Sequence, residues 1–221
     1  MTTQLTQIVI PASEAEADNE WQAGAWASQL IQVAINEAGY ELDELPEDAV
    51  RFDDLWDYLA RQSNSGHALI SDEPEDSLGS WRRAAQLLDD LGFTGHRALL
   101  EDFAAFSIDK RDRMAKLYAE GEEMAAGDLF QPFDDRFRAL RPSLKDLRYR
   151  LRDWLLQRPW TKVSSTAEPA TAAWMRGLVP RHPLAEQRLA ARKRQRVAEH
   201  HGEMVAFKKR LLDRLDRKTL K

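Results

Sequence analysis

Histidines and carboxylates are the side chains here that could hold a metal or move a proton, and their spacing favours neither task. The five histidines are His67, His96, His182, His200 and His201. No His-Glu-x-x-His spacing occurs, and the adjacent His200 and His201 would point to different sides of a helix. His96 stands near a helix start and reads as a packed or capping residue. The acidic run Asp72, Glu73, Glu75 and Asp76 resembles a calcium loop only in composition, because the alternating ligand pattern and the bidentate Glu at its twelfth position are missing. Cysteine is absent, which excludes disulfides, thiolate metal sites and cysteine nucleophiles. Ser63, Ser65 and Ser80 have no organised base, and no Gly-x-Ser-x-Gly, phosphate-binding loop or Gly-x-Gly-x-x-Gly is present. Pairs such as Asp53/Asp57 and Asp89/Asp90 are expected by chance at this acid density. The expectation is a non-enzymatic chain without cofactor or metal.

The positive signal is the grouping of carboxylates. Glu14, Glu16, Asp18 and Glu20 form one group, and Asp43, Glu44, Glu47 and Asp48 a second. Asp53, Asp54 and Asp57 follow, then Asp72, Glu73, Glu75 and Asp76, and later Glu120, Glu122 and Glu123. On a helix, acids three or four apart stand about 5–6 Å from one another, which is comparable to phosphate spacing along a nucleic-acid strand. A rigid body carrying such rows can imitate a DNA backbone to a basic protein. The same residues could instead form a solvated face that only keeps the chain soluble.

The net charge of −5 conceals a division. Residues 1–135 hold 29 acids against 9 bases, and residues 136–221 hold 8 acids against 23 bases. Arg188, Arg192, Arg196 and His200 recur every four residues and would form one ridge. Lys193, Arg194, Lys208, Lys209 and Arg210 extend it, together with Arg214, Arg217 and Lys218. A nucleic-acid contact through this tail is one reading. Folding back onto the acidic body, or onto that of a second copy in a homodimer, is the other.

The elements that must position these charges are helical. Asn19 is expected to cap a helix from Glu20 toward Gly39, with Trp21, Ala25, Leu30, Ile31, Ala34 and Ile35 on its apolar stripe. Asp43 to Ala49 reads as an acidic connection, and Leu55, Trp56, Tyr58 and Leu59 as a short helix ending near Gln62. Ser63 to Leu78 reads as a loop. Trp81 to Gly92 and the stretch from Thr94 form a helix pair. Asp109 is expected to cap a further helix from Lys110 to Ala126, which Gly127 would end. Pro132 permits a short element around Phe133 and Phe137. Pro142 would begin a helix to Gln157. The predicted fold is all-α, a compact multi-helix orthogonal bundle with an extended basic helical tail. The expected organisation is an acidic domain over 1–160, a Ser/Thr/Ala/Pro-rich linker over 161–173 and the tail over 174–221. Trp160 and Trp174, near that linker, are expected to be exposed. No apolar run approaches the roughly 20 residues of a membrane span, and the first twenty residues lack the basic start of a secretory signal. A cytoplasmic setting is expected.

Residues 58–106 resemble the bacterial DNA-mimic-protein-like family, a mostly uncharacterised set of helical domains. The similarity rests on a helix followed by a turn at Asn64, Ser65, Gly66 and His67, then a helix from Trp81 to Gly92 with Leu91, Gly92 and Phe93 at its end. It extends to Phe130 through Phe137 with Asp134 and Asp135, covering about residues 20–160. The chain departs from the family pattern at Ser65, where Gly is usual, and at His67 to Ile70, where aromatics are usual. The resemblance implies an all-α domain and, by its characterised precedent, binding to a DNA-binding transcription factor. Three functions are thus in view: an acidic surface for a basic partner (a toxin-binding immunity protein is one variant), a nucleic-acid contact through the tail, and a small enzyme with a pocket near Asn64 to Asp76.

Overall fold

The computed structural model describes residues 4–16, 20–70, 77–165 and 172–198. The protein is mostly helical. Strand β1 (Ile8–Pro11) leads into a single turn, α1 (Ala12–Ala15), and then into α2 (Gln22–Asn36). A 3-10 turn at Leu42–Glu44 precedes α3 (Glu47–Ile70), which packs against α4 (Ser77–Asp90) and α2. The long α5 (Thr94–Glu120) follows, then α6 (Glu123–Asp128), α7 (Gln131–Ala139) and α8 (Leu144–Leu156). Strand β2 (Thr161–Ser164) pairs parallel to β1, with Ile8 opposite Thr161 and Ile10 opposite Val163. The chain continues into α9 (Ala172–Leu178) and a helix over residues 185–198, here α10.

Apolar periodicity explains most of this. In α2, Trp26, Leu30 and Ala34 share one ridge with Ala23, Ala27 and Ile31 beside them, and all are buried. In α8, Leu147, Leu151 and Leu155 are fully buried at four-residue spacing. Its start is set by Ser143, whose Oγ accepts from the Asp146 N–H at 3.3 Å while the Asp146 carboxylate accepts from the Ser143 N–H at 2.8 Å. That reciprocal cap places the first helical residue two positions after Pro142. Phe103 stands at the centre of the aromatic core, with ring centroids of His67 at 4.8 Å, Trp81 at 5.0 Å, Phe133 at 5.8 Å and Phe130 at 6.0 Å.

Four expectations are corrected. Ser63 to Ile70 is helix rather than loop: the Ser63 hydroxyl is satisfied within the helix, donating to the Leu59 carbonyl four residues back, and Gly66 bends the helix at φ 70°. Asp109 lies inside α5 rather than capping a new helix, since no Gly or Pro interrupts residues 96–120 and Gly121, at φ 79°, ends the run. Residues 161–164 form a strand rather than linker. Trp160, expected exposed, is buried, because its carbonyl accepts from the Ile8 N–H and its ring meets Trp154. Asn19, the expected cap of α2, and residues 71–76 lie outside the described residues. Among those described, no helix is long and apolar enough to cross a membrane.

The buried histidines make stability sensitive to acid. His96 is 2 % exposed between Phe93 and Phe137, and neither ring nitrogen has a hydrogen-bond partner. Burial disfavours its imidazolium and lowers its pKa. An unfolded histidine titrates near 6.5, so below about pH 6.5 the unfolded chain takes up a proton that the folded chain refuses, and stability falls. Asp53 acts oppositely: its folded pKa is raised, so it gains stability as pH falls through about 6. Urea midpoints at neutral and mildly acid pH should therefore show a loss that is smaller in His96→Phe. Equal losses in both proteins would contradict the assignment.

Candidate functional site

Two depressions lie on either side of a buried hydrogen-bonded chain. The bend at Gly66 starts that chain. A β-carbon at Gly66 would stand 2.7 Å from Asp134 Oδ2, and the positive φ suits glycine alone. The bend turns His67 inward until it is completely buried. Its backbone N–H donates to Asp134 Oδ1 at 3.0 Å, and its Nδ1 meets the same oxygen at 2.6 Å. Nε2 faces the Tyr58 hydroxyl at 3.0 Å. Burial lowers the His67 pKa against the opposing pull of Asp134, so the ring is neutral near pH 7. In that state Nδ1–H donates to Asp134 and Nε2 accepts from Tyr58. Burial, with Asp134 nearby, also raises the Tyr58 pKa. The hydroxyl is thus held as a donor, and the imidazole has no edge left for a substrate.

Tyr58 lines the first depression, a pocket of about 290 Å³ between α2, α3 and α4 that also takes in Asp53, Asp54 and Asp57. Asp53 accepts from Ser28 Oγ and Gln32 Nε2, each at 2.6 Å. Burial, partly offset by those two bonds and reinforced by Asp54 and Asp57, pushes its carboxyl up to about 6. Asp54 accepts from Arg83 Nε at 2.6 Å, and Asp57 pairs with Arg61 at 2.8 Å. Asp134 lines the second depression, a wider cleft at the Gly66 bend between α3, α7 and the start of α8.

The expected acidic surface is only partly a surface. Asp43, Glu47 and Asp57 are exposed. Asp48 is shared between Arg51 at 3.3 Å and Arg158 at 3.7 Å. Asp53 and Glu44 are corrected outright, since both are buried. Asp53 sits on the inward side of α3 against α2. Glu44 is covered by the tail: Arg188 grips it with Nη1 at 2.5 Å and Nη2 at 3.0 Å, and His182 Nε2 lies at 3.4 Å. Hydrogen bonding from Arg188 is the main reason the Glu44 carboxyl is held down to about 2. Asp72, Glu73, Glu75 and Asp76 lie outside the described residues, as do Lys208, Lys209 and Arg210.

The ridge of the tail faces the body. Arg188 also donates to the Gly39 carbonyl at 3.0 Å, and Arg192 donates to the carbonyls of Ile35 and Tyr40 and meets Glu41 at 2.9 Å. Arg196 reaches Asn36 at 3.3 Å. Of these acceptors the Ile35 carbonyl belongs to the last turn of α2, where positive charge is also favoured by the helix dipole, and the Gly39 and Tyr40 carbonyls to the turn that follows. Lys193 and Arg194 point to solvent. Gly39 allows the approach: at φ 81°, a β-carbon there would lie 2.5 Å from the Ala185 Cα. Gly39→Val should strain the turn and lift α10, exposing the amides of residues 185–198 to faster hydrogen exchange while those of α8 keep their protection. Unchanged exchange in α10 would mean that the tail docks without this close approach.

Sequence reading found Asp53, Asp54 and Asp57 but missed Ser28 and Gln32, which reach the pocket from α2. It also missed Arg148, although a charged residue in line with Leu144, Leu151 and Leu155 is itself a signal of a buried charge. The turn residues Asn64, Gly66 and His67 do lie together, but on a bent helix. No family model matches the chain, and neither a curated protein nor a solved structure matches it. Among the described residues no group of three or more His, Asp or Glu is arranged to hold a metal ion.

Proposed function

We propose that the protein is a non-enzymatic interaction protein that binds a basic partner, of the DNA-binding regulator type, through the acidic side of α3. The observation that carries this reading is the convergence of Asp53, Asp54 and Asp57 on one pocket. The pocket has room for the end of a lysine or arginine side chain. An inserted cation would favour ionised Asp53, whose charged form burial now disfavours. Asp43 and Glu47, exposed on the same stretch of chain, would add longer-range attraction. Imitation of DNA in this form relies on a few fixed carboxylates around one insertion point.

Affinity capture of the full chain from its own cells, at low and moderate salt, tests the reading. Basic proteins should be retained at low salt and released as salt rises, because exposed charge pairs are screened over about 10 Å at 0.1 M. Asp54→Asn with Asp57→Asn should reduce retention about tenfold, the loss of one or two charge-assisted contacts. Capture that survives high salt, or partners without basic character, would overturn it.

A further inference from the structure

The second depression carries the opposite charge and has no place in the reading above. It is a cleft of about 980 Å³, floored by Ser63, Asn64 and Ser65 just before the Gly66 bend. Its cations are Arg138, Arg141, Lys145 and Arg148, and its acids are Asp134 and Asp146. Both acids are already engaged, Asp134 by His67 and Asp146 by Ser143. Of the four cations Arg138 is paired with Asp135 just outside the lining at 2.6 Å, so Arg141, Lys145 and Arg148 are the cations left for a ligand.

Arg148 is the decisive residue. It is 8 % exposed, and its Nε has no hydrogen-bond partner. Nη2 donates to Ser63 Oγ at 2.7 Å, and the guanidinium lies 3.5 Å from the centroid of the Trp21 ring. Its nearest carboxylate, Glu20, stands 3.9 Å away, too far for a hydrogen bond. Burial pulls its pKa down to about 10. A charge this deeply buried is ordinarily paired and fully hydrogen-bonded. Here Glu20 compensates the charge only at long range, without a hydrogen bond, and Arg148 lines the cleft on its open side. Arg141 and Lys145 stand exposed at its rim, although Arg141 also donates to the Leu140 carbonyl at 2.8 Å.

We propose that this cleft binds a small phosphate-bearing anion, held at the rim by Arg141 and Lys145 and from beneath by Arg148, whose guanidinium the Ser63 oxygen helps to position. Three converging cations suit the dianionic phosphate monoester and its three oxygens better than the two oxygens of a carboxylate. Phe137, the aromatic residue in the lining, is buried against His67 and His96, so it gives a nucleobase no face to stack on. Recognition is thus of the phosphoryl group and not of a base.

Calorimetric titration of the full chain with inorganic phosphate and with pyrophosphate, at ionic strength held constant with sodium chloride, tests this. Saturable one-to-one binding is expected, with acetate failing to compete. The double variant Arg141→Gln, Lys145→Gln changes two exposed residues and should weaken binding about tenfold or more without altering the melting temperature. Arg150→Gln, exposed on the same helix outside the lining, should bind as the unaltered protein does. Arg148→Gln should abolish binding, and where it also lowers the melting temperature the rim variant decides. Absence of saturation up to about 10 mM, equal loss in Arg150→Gln, or effective competition by acetate would overturn the proposal.

Discussion

Phe103→Ala should lower the free energy of unfolding by about 3–5 kcal/mol, the usual cost of emptying a fully buried aromatic site. Phe103 is 0 % exposed, and its ring meets residues from three other helices and a turn: His67 of α3, Trp81 of α4, Phe133 of α7, and Phe130 just before α7. Collapse into the space is opposed, because His67 is tied to Asp134 and Tyr58 and the rings of Phe130 and Phe133 each pack on Phe106. Phe103→Leu should recover much of the loss by refilling most of the volume. Chemical denaturation measures both, and a loss under about 1 kcal/mol for the alanine variant would show that the ring cluster is not the centre of the core.

Asp134→Ala should cost about 2–5 kcal/mol, since it leaves two donors of His67, the backbone N–H and Nδ1–H, buried without an acceptor. The effect should exceed that of removing any exposed ion pair, such as Arg138 with Asp135, which contributes about 0–1 kcal/mol. Asp134→Asn keeps an oxygen in the same place and should retain most of the stability. Were alanine and asparagine to behave alike, the carboxylate would matter for its charge and not as an acceptor. The bend at Gly66 should loosen with the alanine variant, raising hydrogen exchange in the α3 segment that follows it.

Much of the helical frame was legible from single residues. Gly92 stops α4, Thr94 begins α5, and the leucines of α8 face inward, because each of these depends on neighbours within a turn or two. The errors arose where local composition and distant contacts disagree. Ser63, Asn64 and Ser65 have the composition of a loop, yet they lie within α3, where the Ser63 hydroxyl bonds inside the helix and accepts from Arg148 of α8. Thr161 to Ser164 reads as linker because its pairing partner lies about 150 residues earlier in the chain. Glu44 reads as one more surface acid, and its burial depends on Arg188, 144 residues away.

The sequence by itself determined the charge division, the mostly helical character and the absence of cysteine chemistry, all properties of composition and local period. Tertiary structure alone decided which charges are free. It turned Arg188, Arg192 and Arg196 onto the end of α2, gathered Asp53, Asp54 and Asp57 into one pocket, and buried Arg148 without a bonded carboxylate. The physical reason is that a charge acts through its solvation and its neighbours in space. Both are set by packing between segments far apart in the chain, which no local pattern records.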